Sequence, residues 1–140
     1  MSHFVTNSKA NIVDKKAFIA ACKELGLTSV QENVNIKDYY GKVMKVDVAV
    51  ACGKYHIGLL KNATGKFDMV ADWWGIRCSD LPKEFKEVCK SQNMTDQDIQ
   101  DCVLRYTTKN TIVNKYRLQG YACKVVDDKT GQLQVTMTKF

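Results

Sequence analysis

The chain is short of the residues around which small enzymes usually build a reaction centre. It has only two histidines, His3 and His56, in 140 residues. It contains no Gly-x-Ser-x-Gly elbow and no His-Glu-x-x-His pair, which removes the common hydrolase and metalloprotease signatures. No glycine-rich loop stands between a strand and a helix. Gly53, Gly58 and Gly65 fall in strands and turns instead, so the usual phosphate cradle is missing. Apolar stretches are far shorter than the roughly 20 residues that span a bilayer. No basic segment followed by an apolar core opens the chain. A soluble, cytoplasmic protein with no membrane partner is therefore expected. No repeat, linker or low-complexity run divides the sequence, and residues 1–140 read as one domain.

Cysteine is present without order. Cys22, Cys52, Cys78, Cys89, Cys102 and Cys123 make six, and none forms a Cys-x-x-Cys pair. Several stand at apolar positions of predicted elements, so they read as reduced, small core residues. Without close ligand spacing no zinc site is expected, and no cofactor is implied. The net charge is +6, spread thinly and without an arginine-rich tract. That favours anionic partners mildly and says nothing about fold.

Residues 43–75 carry the strongest pattern. Val46, Val48 and Val50 alternate with Lys45, Asp47 and Ala49; Tyr55, Ile57 and Leu59 alternate with His56, Gly58 and Leu60. Period-two alternation buries one face of each strand. Gly53 suits the first central position of a two-residue hairpin turn. Pairing Cys52 with Tyr55 then sets Val50 opposite Ile57 and Val48 opposite Leu59. A second turn, Asn62-Ala63-Thr64-Gly65-Lys66, puts a left-handed glycine before Lys66. Its register sets Leu59 opposite Met69, Tyr55 opposite Trp73, and His56 opposite Asp72. The small pair Ala49 and Gly58 leaves a notch on the second face, filled by a closely packed helix or by a ligand.

Around these strands the chain predicts a first strand at 3–8, a helix at 11–27 and an edge strand at 29–36. Ser79 and Asp80 cap a short helix to about residue 91, with Pro82 in its first turn. Thr95 and Asp98 form a capping box for a long helix to about residue 119. Its acidic start and basic second half (Arg105, Lys109, Lys115, Arg117) suit the helix dipole. A hairpin of 121–126 and 133–138, turning at 128–131, closes the chain and sets Val125 opposite Val135 and Cys123 opposite Met137. The expected class is α+β: a single antiparallel sheet with helices on one face, in a ferredoxin-like arrangement with additional strands.

Short motifs are spread along the whole length. They are Met1-Ser2-His3-Phe4, Tyr40-Gly41-Lys42, Tyr55-His56-Ile57-Gly58, Val70-Ala71-Asp72, Arg105-Tyr106 and Gln119-Gly120-Tyr121. In this order they resemble a conserved hypothetical open-reading-frame family of plastid and cyanobacterial genomes, also found in bacteria and phages. Its members begin Met-Ser-His-Phe and carry a domain of unknown function. The resemblance implies an intracellular compartment, including a plastid stroma or an infected host cell, and no activity. His56, Trp73-Trp74, the cysteines and the length of 76–100 depart from the family pattern.

Three functional readings follow. The first is a non-enzymatic binding or accessory protein for an unidentified protein or anionic ligand, acting through the second sheet face and the Trp73-Trp74-Gly75 strand end. There an exposed indole near Arg77 would stack on a partner. The second is a nucleic-acid-binding protein, for single strands, using basic and aromatic residues on a sheet or along the second half of the long helix, Arg105 and Lys109 among them. The third is a metal-dependent enzyme at His3, His56 and Asp72, two imidazoles and a carboxylate. The plainer account of His56 and Asp72 is a cross-strand surface pair. The lack of any catalytic constellation favours the first reading.

Overall fold

The turn chemistry of Gly53 and Gly65 organises the chain. In the computed structural model, which describes residues 3–89, 94–127 and 133–139, both glycines take positive φ, 66° and 83°. Gly53 joins β3 (Val43–Cys52) to β4 (Tyr55–Lys61), and Gly65 joins β4 to β5 (Phe67–Ala71). The pairs Val48↔Leu59, Val50↔Ile57 and Cys52↔Tyr55 form as the turn demands. So does Leu59↔Met69. Asn62 closes the second turn, its amide N–H donating to the Lys66 carbonyl at 2.8 Å.

These strands form the middle of a five-stranded antiparallel sheet, in the order β1-β5-β4-β3-β2. Its outer strands are β1 (Val5–Ile12) and β2 (Val30–Lys37). Helix α1 (Lys15–Glu24) connects one edge to the other. It begins where the Asp14 carboxylate accepts from the N–H groups of Lys16 and Ala17, satisfying two donors that a helix start leaves open. The α+β class is as expected, but the order is not ferredoxin-like, because β1 lies at an edge with three strands between it and β2. Nor is there a single sheet. The closing hairpin, β6 (Tyr121–Asp127) and β7 (Leu133–Lys139), forms a separate two-stranded sheet. Its pairs Val125↔Val135 and Cys123↔Met137 are the expected ones; the turn at 128–131 lies outside the described residues.

The main core lies between the sheet and the helices. Phe18, Ala21, Cys22 and Leu25 of α1 meet Val48, Val50, Ile57, Leu59 and Met69 of the sheet. Ile99, Cys102, Val103 and Tyr106 of α4 (Asp96–Leu118) complete it. Thr95 and Asp98 make the anticipated capping box. Phe85 of α3 (Lys83–Cys89) is fully buried in the same cluster. Among the described residues no helix is long and apolar enough to cross a membrane.

The second face carries its own small core. Ile36, Val46, Ala49 and Val70 pack together there, with Phe4, Val34 and Met44 against them. Val46 therefore does not share a face with Val48 and Val50, as simple alternation predicts. The change occurs where Asn33 adopts φ +51° and the β2–β3 register passes from Glu32↔Val48 to Val34↔Val46. Left-handed backbone is tolerated by asparagine better than by most residues, and it re-aims the strand. The far half of the β2–β3 hairpin thereby folds over β4. A Cβ on Gly58 would stand 2.8 Å from Val46 Cγ1 and 3.1 Å from Ile36 Cδ1. The notch at Ala49 and Gly58 is filled by the chain itself, neither by a helix nor by a ligand.

This contact sets a stability prediction. Gly58→Val forces Val46 and Ile36 aside, and overpacking of this kind costs about 1–3 kcal/mol. Urea unfolding should show a lower midpoint for Gly58→Val with an unchanged slope; a midpoint equal to wild type would contradict the packing.

Candidate functional site

Asp72 ends the last central strand and begins a helix. Its side chain accepts from the Gly75 N–H at 3.0 Å, the arrangement of an N-cap. Helix α2 (Trp73–Arg77) follows directly. The expected strand continuation through Trp73 is thus replaced by one helical turn. The β4–β5 ladder reaches only Gly58↔Val70 at this end, so Tyr55↔Trp73 and His56↔Asp72 are not strand pairs. Gly75 is required for packing: a Cβ there would meet the Tyr55 ring at 2.8 Å.

Helical geometry separates the two indoles. Trp73 is 1% exposed and Trp74 39%. The Trp73 Nε1–H donates to the Val5 carbonyl at 3.0 Å, which ties α2 to β1. Trp74 opens instead onto a cleft of about 510 Å³ lined by Tyr39, Gly53, Lys54, Tyr55, Gly75, Cys78, Ser79 and Asp80. Three separate segments build this cleft. The 38–42 turn supplies Tyr39, the β3–β4 turn supplies Gly53, Lys54 and Tyr55, and α2 with its exit supplies the rest.

The second oxygen of Asp72 locks the first of those segments in place. Oδ2 accepts from the Tyr39 N–H at 2.9 Å. Asp38 organises the turn itself, accepting from the N–H groups of Tyr40 and Lys42, both at 2.9 Å. Both carboxylates are buried. The Tyr55 hydroxyl is held above its ordinary pKa, by burial first and then by Asp72, Tyr39, Cys78 and Asp38. It therefore stays a neutral hydrogen-bonding group at neutral pH. The wall of the cleft is aromatic, and its rim carries one ammonium, Lys54, and one carboxylate, Asp80.

Other sequence-marked residues lie elsewhere or are engaged in structure. Arg77 Nε donates to Asp96 Oδ1 at 2.7 Å, joining α2 to the start of α4. Lys109 is buried and paired with Glu24 of α1. Arg105 is half-buried, beside Cys89, Asp98, Asp101 and Cys102. Arg105 and Lys109 line one open pocket with Thr108, Ile112, Leu133 and Val135, and the Lys109 ammonium is held there by Glu24. His56 stands opposite Ala51, and burial lowers its pKa below the ordinary value, the opposite of what a carboxylate partner does. His3 is exposed. Among the described residues no group of three or more His, Cys, Asp or Glu is placed to hold a metal.

All six cysteines are thiols. Burial pushes Cys52 up to about 12 and raises Cys22, with the nearby Cys52 adding to it. Cys89 is raised first by its hydrogen bond with Cys102 and then by burial. Cys78, in the cleft, is the exposed one.

Sequence reading found Trp74 but missed Tyr39, Lys54, Tyr55, Cys78, Ser79 and Asp80. The available signal was Asp72 three residues before Gly75: an N-cap residue there turns the chain and brings the later residues round to the β3–β4 turn.

Two measurements follow. Asp72→Ala leaves the Gly75 and Tyr39 N–H groups without their acceptor, at a cost of about 3 kcal/mol; urea unfolding should show that loss, and a change below about 0.5 kcal/mol would contradict the role given to Asp72. His56 binds its proton more weakly in the folded than in the unfolded chain. The unfolded state then holds more protons, so stability falls as pH drops below about 6.5. His56→Gln should flatten that part of the stability–pH curve, and an unchanged curve would contradict the burial effect.

No curated protein and no solved structure matches the chain. A family model does: it spans residues 21–136, from within α1 to within β7, and is described as a protein of unknown function, DUF1257. The chain belongs to that family.

Proposed function

We propose that this protein is a binding protein without catalytic activity of its own, and that it takes its ligand in the cleft beside Trp74. The observation that carries the reading is the meeting of Trp74, Tyr39 and Tyr55 around an open volume of about 510 Å³. Ligand sites are typically 300–1,000 Å³, mostly apolar, with a few polar groups that orient the ligand. Here the aromatic wall supplies contact area, and Lys54 at the rim, near the Asp80 carboxylate that pairs with Lys86, orients the ligand. A half-exposed tryptophan is also the type of side chain that dominates binding energy when a partner covers it. The His3, His56 and Asp72 reading gains no support, because Asp72 is engaged as a helix cap and His56 gains no charge from its surroundings.

The test uses two residues of the cleft. Native mass spectrometry of the protein purified from its producing cells should detect a bound molecule that Trp74→Ala loses, with circular dichroism showing the variant folded. The same molecule should slow the labelling of Cys78 by a disulfide reagent while leaving the other thiols unaffected. A molecule retained equally by Trp74→Ala, or no protection of Cys78, would contradict the assignment of the cleft.

A further inference from the structure

A second surface lies where the end of α4 meets the closing hairpin, and it shares no residue with the Trp74 cleft. Lys115 Nζ stands 5.9 Å from the Tyr116 ring centroid. Tyr116 and Tyr121 meet edge to face, 5.5 Å apart at 89°. Tyr121 pairs with Lys139 across the hairpin, and Lys139 Nζ is 5.9 Å from the Tyr121 centroid. The result is a continuous row, ammonium–ring–ring–ammonium, drawn from a helix and two strands. Arg117 is exposed on the same last turn of α4.

Among the described residues no ion pair compensates the charge of this row. Lys15, Arg77, Lys83, Lys86 and Lys109 are in ion pairs. Among the described residues Lys115, Arg117 and Lys139 are in none. No aspartate or glutamate occurs between Asp101 and Asp127. Asp127 pairs with Leu133, at the far end of the hairpin from Tyr121 and Lys139. The helix dipole accounts for Lys115 and Arg117, but not for Lys139, which lies on a strand, nor for two adjoining half-exposed rings.

We propose that this row binds single-stranded nucleic acid. Ammonium groups spaced by tyrosine rings match a chain of phosphates spaced by bases, and base–aromatic stacking with phosphate contact is how such strands are held without sequence readout. On binding, each lysine moves from its ring to a phosphate and leaves the ring face to a base. Arg105 and Lys109 are not part of this row, and Lys109 is paired with Glu24.

Fluorescence anisotropy of a labelled oligothymidylate and a labelled oligouridylate tests this, starting from low salt, about 50 mM, where phosphate contacts are strongest. The variant Lys115→Glu/Arg117→Glu/Lys139→Glu should lower the slope of log affinity against log salt by about 0.7 per lost contact. A charge-matched control, Lys37→Glu/Lys45→Glu/Lys66→Glu, should keep the wild-type slope. Tyr116→Leu should weaken binding about tenfold at unchanged slope, as loss of one stacked base does. Circular dichroism shows whether each variant is folded. No wild-type binding at low salt would overturn the proposal, as would a control variant that loses as much as the row variant. Displacement of the strand by polyglutamate at equal charge would assign the row to an acidic polypeptide instead.

Discussion

One buried carboxylate holds the cleft end of this molecule together. Asp72 accepts from Gly75 in front of it and from Tyr39 across the fold. A carboxylate out of water is costly unless it is well hydrogen-bonded, and N–H donors at a helix start are among its best partners. The first bond stops β5 and starts α2; the second brings the 38–42 turn to the same point. Trp73 is thereby placed in the core, where its indole donates to β1, and Trp74 is turned out beside Tyr39. Chain ending, loop docking and the division of the tryptophans are one event.

The second face of the sheet shows why the cleft lies at an end of the strands. Gly58 lets Val46 and Ile36 close on β4, so the hairpin that carries Tyr39 wraps back across the sheet. Both faces of the central strands are then covered, one by helices and one by this hairpin. Among the open surfaces of the described residues, two carry aromatic side chains beside charged ones. One is the strand end beside Trp74 and the other the junction of α4 with the closing hairpin. The first is a concave aromatic cleft; the second is a row of charges and rings. They differ in chemistry and share no residue.

Much of the fold was legible in the sequence because local chemistry and periodicity agreed. Gly53 and Gly65 set two turns, and every strand pair that depends on them between Val48 and Met69 followed. Thr95 and Asp98 marked the start of α4, and Val125 with Cys123 set the last hairpin. Reading failed where one residue overrode a pattern. Trp73 and Trp74 are strand-favouring residues in an alternating run, yet the cap at Asp72 turned them into a helix. Val46 continues an alternation in sequence, yet Asn33 on the partner strand moved it to the other face. The cleft was only half legible: Trp74 stood out alone, while Tyr39 and the β3–β4 turn lie 19 to 35 residues before it in sequence, and the Asp72–Tyr39 bond fixes the first of them beside it. Lys109 looked like a free cation because its partner, Glu24, lies on another element.

The most direct test of this account is hydrogen exchange of the two indole N–H groups, followed by NMR in the wild-type protein. Trp73, bonded to the Val5 carbonyl inside the core, should exchange only through unfolding, with protection approaching that of the central strands. Trp74 should exchange close to the rate of an open indole. Comparable protection of both, or fast exchange of both, would contradict the division of the pair by a helix starting at Asp72.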